Sequence, residues 1–377
     1  GILENTPRFD YSGGATCPSL LLEPSRSNLL TQSEYFGSSD WTLNNVSITS
    51  NATTSPEGVI NASKWIANSG LSSKTIFQVP STANGVAHTS SAYFKAEEYP
   101  LAFIRLGGVG GSPYVIYDLR DESVVSTSGL TSHDIQSVGN GWYRIEATTT
   151  TTTTLIAPNY AFLPASGYTL DSNNIPEYTG DGTSGGYIYG AQCEPSASYP
   201  TSYIPTYGVS QTRAQDVCND AGDTATFNDS EGVLYAEFNP FFPAGSRQIT
   251  INDGTYNNRI IIEVRENATK IKFLLSASGS NAFEATKNIS VIDTIYKVAV
   301  KYSATDCAFF VNGEKVSSST GTIVMPTGLE FLSFSGRNDT SLLFTSKTKQ
   351  LIYFPTALSD LDLAILTGAT TYNTFAA

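Results

Sequence analysis

Charge is scarce in this chain, and what there is leans one way. Only 15% of the 377 residues are Asp, Glu, Lys or Arg, with 34 acidic against 21 basic side chains. The net charge of −13 makes a body that repels phosphate backbones and anionic lipid. Nucleic acid is therefore not expected as a partner. Long apolar runs are missing as well: nothing reaches the roughly 18 residues that a bilayer-spanning helix needs, so no membrane insertion is expected. The opening Gly1-Ile2-Leu3-Glu4 carries no apolar signal-peptide core, and the lack of an initiator Met leads us to expect an upstream part.

Metal-binding and nucleophilic residues are equally thin. His88 and His133 are the two histidines, and neither sits in a metal-ligand or GxSxG context. Both read as ordinary loop or edge residues. The four cysteines, Cys17, Cys193, Cys218 and Cys307, show no CxxC spacing, which argues against zinc. Cys17 and Cys193 flank two echoing segments, Leu20 to Pro24 and Gly190 to Pro195. A disulfide between them is one option, and separate half-buried thiols are the simpler one. The second half shows no paired carboxylates on one strand face, as glycan-cleaving sandwiches use. Glu263 and Glu266 are three apart and so project from opposite faces of a strand, while Asp118, Asp121 and Glu122 straddle a turn. No catalytic residue is assigned and no enzyme is expected. Polysaccharide cleavage stays as a rival, because carboxylates gathered from different subunits leave no trace in one sequence.

Ser, Thr, Gly, Asn and Tyr are plentiful, which is the profile of short strands joined by turns. The expected fold is all-β: two β-sandwich domains of jelly-roll or lectin-like type, with one short capped helix near the C-terminus. The length suits two such domains. We place an irregular arm at 1–19, a first sandwich at 20–207, a linker at 208–230 and a second sandwich at 231–377. Thr148 to Thr154 reads as a solvated edge strand. Asn312-Gly313 is the strongest hairpin signal, since the pair readily supplies two positive φ angles. Ser359 with Asp362 forms a capping box, and Gly368 stops the helix. The glycine-rich Tyr178 to Gly186 is not a phosphate loop, as no Lys or helix follows. The stretch Tyr187 to Val217 reads as a closing strand followed by a proline-marked extended strap, and no ligand site is expected in it.

Binding a sugar needs aromatic faces for its C–H surfaces and polar groups for its hydroxyls. Trp65 and Trp142 read as core, and Trp41 stands between core lid and ligand platform. The turn from Asn252 to Arg259 offers Tyr256, Asn257 and Arg259, and a second polar turn offers Arg337 and Asn338. These are the candidate carbohydrate contacts. Asp253 and Asp339 in the same turns are candidates for a structural calcium ion, since oxygen-rich loops suit it. No other cofactor is expected.

Several phrases, taken in order, resemble a module of bacteriophage tail and appendage proteins. They are Leu20-Leu-Leu-Glu-Pro-Ser-Arg-Ser-Asn-Leu-Leu30, Ser33-Glu-Tyr-Phe36 with Trp41, Gly139-Asn-Gly-Trp-Tyr-Arg144, Gly180 to Gly185, Gly190-Ala-Gln-Cys-Glu194, and Thr201-Ser-Tyr-Ile-Pro-Thr206 with Thr212-Arg213 and Asp216-Val217. The resemblance spans about residues 7 to 217 and implies a carbohydrate-binding-module-like jelly roll. Cys193 stands where that pattern has an aliphatic residue, which favours a packing role over a disulfide. Residues 231 to 367 resemble a concanavalin A-like, laminin-G-type sandwich, through Tyr296 to Tyr302, Phe309-Phe-Val-Asn-Gly313 and Leu351-Ile-Tyr-Phe-Pro355. Together they imply a non-catalytic virion appendage of tail-fibre or head-fibre type that binds host surface glycans during adsorption. Such a protein would sit at the virion surface, as a homotrimer against other virion structural proteins. A purely structural decoration protein and a depolymerase subunit are the rival readings.

Overall fold

A computed structural model describes residues 6–11, 16–108, 110–240, 245–265, 269–289 and 294–370. Among these, strands dominate and the only α-helix is Asp360–Leu366. Among the described residues, no helix is long and apolar enough to cross a membrane. The chain divides into two compact units, Ser25–Ala214 on the one hand and Gly1–Pro24 with Gln215–Ala377 on the other.

The Ser25–Ala214 unit is built on two six-stranded antiparallel sheets. One contains Tyr114–Asp118, Leu101–Gly107 and Ala157–Leu163; the other contains Trp142–Thr150, Ala87–Ala96 and Gly185–Pro195. Strict alternation sends Ala92 and Phe94 into the core while Ser91, Tyr93 and Lys95 face away. Phe94 meets Phe162 of the other sheet edge-on at 5.4 Å, and Trp65 lies 5.9 Å from the same ring. A buried amide closes the unit. Asn28 donates from Nδ2 to the carbonyls of Ala191 (3.1 Å) and Ile204 (3.0 Å). Its Oδ1 accepts from the N–H groups of Leu30 (3.1 Å) and Cys193 (3.0 Å). The prolines at 200 and 205 keep this tract out of the two sheets; side chains hold it, with a backbone bridge between Gln32 and Tyr207 at its end. Gln192 Oε1 accepts from Ile204 N at 2.7 Å, and the buried Glu194 carboxylate accepts from Thr201 N and Oγ1. The glycine-rich run has a packing reason. A Cβ on Gly185 would fall 1.7 Å from the Trp65 carbonyl oxygen.

Some expectations for this unit change. Thr148 to Thr154 is not an edge strand: Thr148–Thr150 end an interior strand paired on both sides, and Thr151 is buried beyond it. His88 is buried in an interior strand, with Nδ1 2.9 Å from Val86 O and Nε2 against Thr82 Oγ1. His133 meets the Tyr117 hydroxyl at 2.7 Å. All four cysteines are free thiols, so Cys17 and Cys193 are not bonded, and Cys193 is wholly buried in the core.

The second unit pairs a seven-stranded sheet with a five-stranded one. Glu231–Asn239, Tyr296–Ser303 and Ser346–Phe354 are neighbours in the first; Arg247–Asn252, Arg259–Arg265 and Lys270–Ala277 are neighbours in the second. Ile249, Ile251, Ile260 and Ile262 face Leu234, Phe238, Val298 and Phe309 in one core. Asn312 and Gly313 have φ of 50° and 84°, and the hairpin closes through Val311 and Glu314 as the dipeptide predicts. Ser359 Oγ caps Asp362 N, and Gly368 at φ 108° follows the last turn. There Gly368 N donates to Ile365 O and Ala369 N to Ala364 O, the paired bonds of a Schellman stop.

The boundaries fall elsewhere than at 20, 208 and 231. Ser19–Leu22 pairs with Ser346–Phe354 of this second unit, and Phe9–Asp10 pairs with Ser19–Leu22 in turn. Arg8 fixes that arm by donating to Glu23 Oε2 (2.7 Å) and to Asp216 Oδ2. Gln211–Arg213 belongs to the first unit, as a strand against Arg26–Asn28. Phe227 is buried in the second core. The expected linker is thus divided between the two units.

All three tryptophans lie in the Ser25–Ala214 unit, so their fluorescence reports on it alone. Asn28→Ala strips four buried backbone groups of partners and should cost that unit at least about 2 kcal/mol. Denaturant titration followed by tryptophan emission checks this, and a loss under about 0.5 kcal/mol would contradict the role given to the amide.

Candidate functional site

Two polar turns that are far apart in sequence meet in the second unit. The first, after Arg247–Asn252, is shaped by its own side chains. Asn252 Oδ1 accepts from Gly254 N at 2.9 Å, and Gly254 takes φ +79°. Asp253 Oδ1 accepts from Thr255 N (2.8 Å) and Thr255 Oγ1 (2.6 Å), while its Oδ2 accepts from Asn258 Nδ2 (2.8 Å). The second turn is held by Asp339. Its Oδ1 accepts from Ser341 N (2.8 Å) and Oγ (2.5 Å), and its Oδ2 from Arg337 Nε (2.5 Å).

Tyr256 joins them. Its hydroxyl lies 2.6 Å from Ser341 Oγ, and the ring remains 40% exposed. The guanidinium of Arg259 stands 4.7 Å from the ring centroid and that of Arg337 stands 4.6 Å from it. Each contact is worth on the order of 0.5–2 kcal/mol and stiffens an otherwise mobile ring. Arg259 is buried: its Nη1 donates to Gly336 O (2.7 Å) and Gln248 Oε1 (3.2 Å), and its Nε has no hydrogen-bond partner. Gln248 is oriented in turn by donating to Glu263 Oε1 at 3.0 Å.

Burial lowers the pKa of Arg259 below the usual guanidinium value, with Tyr256, Glu263 and Asp253 opposing that shift. For Asp253 and Asp339, burial pushes upward but hydrogen bonds win, from Thr255 and Asn258 in one case and from Ser341 and Arg337 in the other. Both carboxylates therefore stay ionised well below neutral pH. Together the groups make one partly exposed aromatic ring with two guanidiniums over it and the Ser341 hydroxyl bonded to its own.

The structure sorts the sequence candidates. Tyr256, Arg259 and Arg337 converge. Asn257 is exposed at the same turn, and its backbone carbonyl accepts from Gly279 N at 3.0 Å. Asn338 donates to Asp220 Oδ1 at 3.0 Å. Trp41 is no platform: it is 4% exposed, its Nε1 donates to Gln32 O at 2.8 Å, and its ring packs on Phe36 and Tyr160. The calcium candidates are not brought into one ligand set. Asp253 and Asp339 spend both oxygens on their own turns, and the described residues hold no group of three or more Asp, Glu, His or Cys suited to a metal. Glu263 is buried under Gln248 and unavailable as an exposed acid, while Glu266 lies outside the described residues. Ser341 and Gln248 were missed. The alternation of Arg247–Asn252, with Gln248 opposite the isoleucines, was the available signal for the second of them.

Residues 220–364, less than half of the chain, match the family model of the Concanavalin A-like lectin/glucanases superfamily. A search of curated proteins gave no match. Similar solved structures include the CBM40 module of Ruminococcus gnavus IT-sialidase bound to alpha2,3 sialyllactose. It is 15% identical, with 39% of this chain and 91% of that one covered and a TM-score of 0.33. A putative carbohydrate binding protein from Bacteroides ovatus is 13% identical, with 80% and 82% covered and a TM-score of 0.31. Domains LG4-5 of the mouse laminin alpha1 chain are 9% identical, with 95% and 96% covered and a TM-score of 0.27. By fold, then, this is an all-β protein of sandwich-like sheets. Its 220–364 stretch is similar to the lectin-type model.

A third group of charges sits on the first unit. Glu146 is directly opposite Asp134 in the register, beside Arg144. Burial, reinforced by Asp134 and Glu194 and opposed by Arg144, raises its pKa to about 7. The folded chain thus binds a proton there that the unfolded chain has already released. Stability must fall as pH rises from the ordinary glutamate value toward about 7, and no penalty remains below it. Glu146→Gln should therefore stabilise this unit at pH 8, by an amount on the order of 2 kcal/mol, and leave it unchanged at pH 4. Tryptophan-monitored denaturation at the two pH values decides it; equal effects at both would exclude the mechanism.

Proposed function

We propose that this chain is a non-catalytic glycan-binding protein whose lectin-type unit contacts its ligand at Tyr256, Arg259 and Arg337. One observation carries the reading: a half-exposed tyrosine ring is held in place by two guanidiniums and a hydroxyl from two turns that meet only in the fold. A ring so fixed stacks on the C–H face of a sugar at little entropic cost, and the exposed donors of Arg337 and Asn257 reach its hydroxyls. The family match of residues 220–364 supports the same class. The setting we infer is a virion appendage at the particle surface, used in adsorption. It is supported by the resemblance of residues 7 to 217 to phage tail and appendage modules. Weak single sites of this kind gain from a homotrimer, since linked sites multiply affinity without new contacts.

Glycan-array or host-cell binding is expected for the intact chain. Tyr256→Ala and Arg259→Ala should each weaken it about tenfold or more while the melting temperature of the Tyr256 variant stays near wild type. Full binding by both variants would remove this site. Absent glycan binding together with a buried lattice contact in an assembled particle would favour a decoration role. Release of reducing sugar from host polysaccharide would instead establish a depolymerase.

A further inference from the structure

The Ser25–Ala214 unit carries a second group of side chains that the Tyr256 site leaves unused. Tyr207, at the end of the strap, has a ring that is 69% exposed yet fixed at both ends. Its backbone bridges Gln32, and its hydroxyl donates to Glu34 Oε1 at 3.0 Å. Glu34 Oε1 also accepts from Tyr203 at 3.2 Å, and Asn61 Nδ2 approaches Oε2 at 3.5 Å. Glu57, exposed on the neighbouring turn, lies near enough to act on both Tyr189 and Tyr207. Neither Glu34 nor Glu57 is in an ion pair among the described residues. The buried Tyr189, 1% exposed, engages Glu57 and Asn61 through its hydroxyl, and Oδ1 of Asn61 is a buried polar atom with no hydrogen bond. Such an atom costs about 1–3 kcal/mol unless something satisfies it.

We infer that this face is a second saccharide site, one that takes a neutral or basic sugar unit and rejects an acidic one. Tyr207 supplies the stacking face. Around it acceptors prevail: the Glu34 and Glu57 carboxylates and the Asn61 carbonyl, with the nearby tyrosine hydroxyls already turned onto those carboxylates. The ligand must therefore bring donors, as hydroxyls or as a protonated amine, and a uronate would meet uncompensated negative charge. The Tyr256 site has the opposite lining. The two inferences rest on different residues and fail separately.

The test uses the full chain carrying Tyr256→Ala, so that this face is read alone. Three tetrasaccharide probes are titrated by calorimetry: N-acetylglucosamine (neutral), glucosamine (basic) and galacturonate (acidic). The neutral and basic probes should bind at least about tenfold more tightly than the acidic one. Tyr207→Ala should abolish that binding while Tyr207→Phe retains the ring and most of the affinity. Glu57→Gln should reduce binding of the basic probe and leave the neutral one within about threefold. The variants alter exposed positions, and an unchanged melting temperature confirms folding. Equal affinity for the acidic probe, no binding of any probe, or full binding by Tyr207→Ala would each overturn the inference.

Discussion

The first unit depends on one side chain having nowhere else to send its hydrogen bonds. Asn28 is fully buried, and its amide meets the backbone at Leu30, Ala191, Cys193 and Ile204. Three segments that share no ladder at those points are thereby locked together. A hydroxyl is too short for this, and a carboxylate has no donors. Asn supplies two of each in a fixed plane. Once the strap is pinned near Ile204, Glu194 can bury its carboxylate against Thr201, and Tyr203 can pack on Tyr93 and Tyr189. The exposed ring of Tyr207 gains its fixed position from the same restraint, so the closure of the sandwich and the proposed second site share a cause.

In the second unit the corresponding constraint is ionic. Arg8 bridges Glu23 and Asp216, and Glu23 N donates to Asp216 Oδ2 at 2.6 Å. The chain leaves this unit at Pro24 and re-enters it at Gln215, so the first sandwich is an insertion. That organisation was invisible in sequence. Leu20, Leu21 and Leu22 are apolar and of strand length, and period-2 alternation says which face a residue presents without saying which strand it pairs with. Proximity in sequence assigned them to the nearer sandwich, whereas Ser346–Phe354 pairs with them in space.

Legibility followed the range of the interactions. Asn312-Gly313, the Ser359 cap and the Gly368 stop were readable because each is decided within a few residues by backbone sterics or one hydrogen bond. The burial of Trp65 and Trp142 followed from alternation and family pattern. Trp41 did not, because a polar turn precedes it and only the fold brings Phe36 and Tyr160 onto its ring. The two polar turns were each recognisable as loops between strands, but their meeting was not. Ser341 and Gln248 enter the site only through long-range packing.

The strap shows why an absence of signal misleads. Read as text, Tyr199 to Tyr207 is a connector, since its prolines remove it from any sheet. Lying outside the two sheets also leaves the Tyr207 ring exposed, with one backbone bridge to Gln32 and with Glu34 holding its hydroxyl. Charge then separates the two candidate sites. The chain is strongly acidic, so the cations that are present matter where they cluster, and Arg259 and Arg337 gather on Tyr256 while Glu34 and Glu57 gather near Tyr207. Similar aromatic faces with opposite linings discriminate by desolvation: each lining penalises the ligand whose charge it cannot pair.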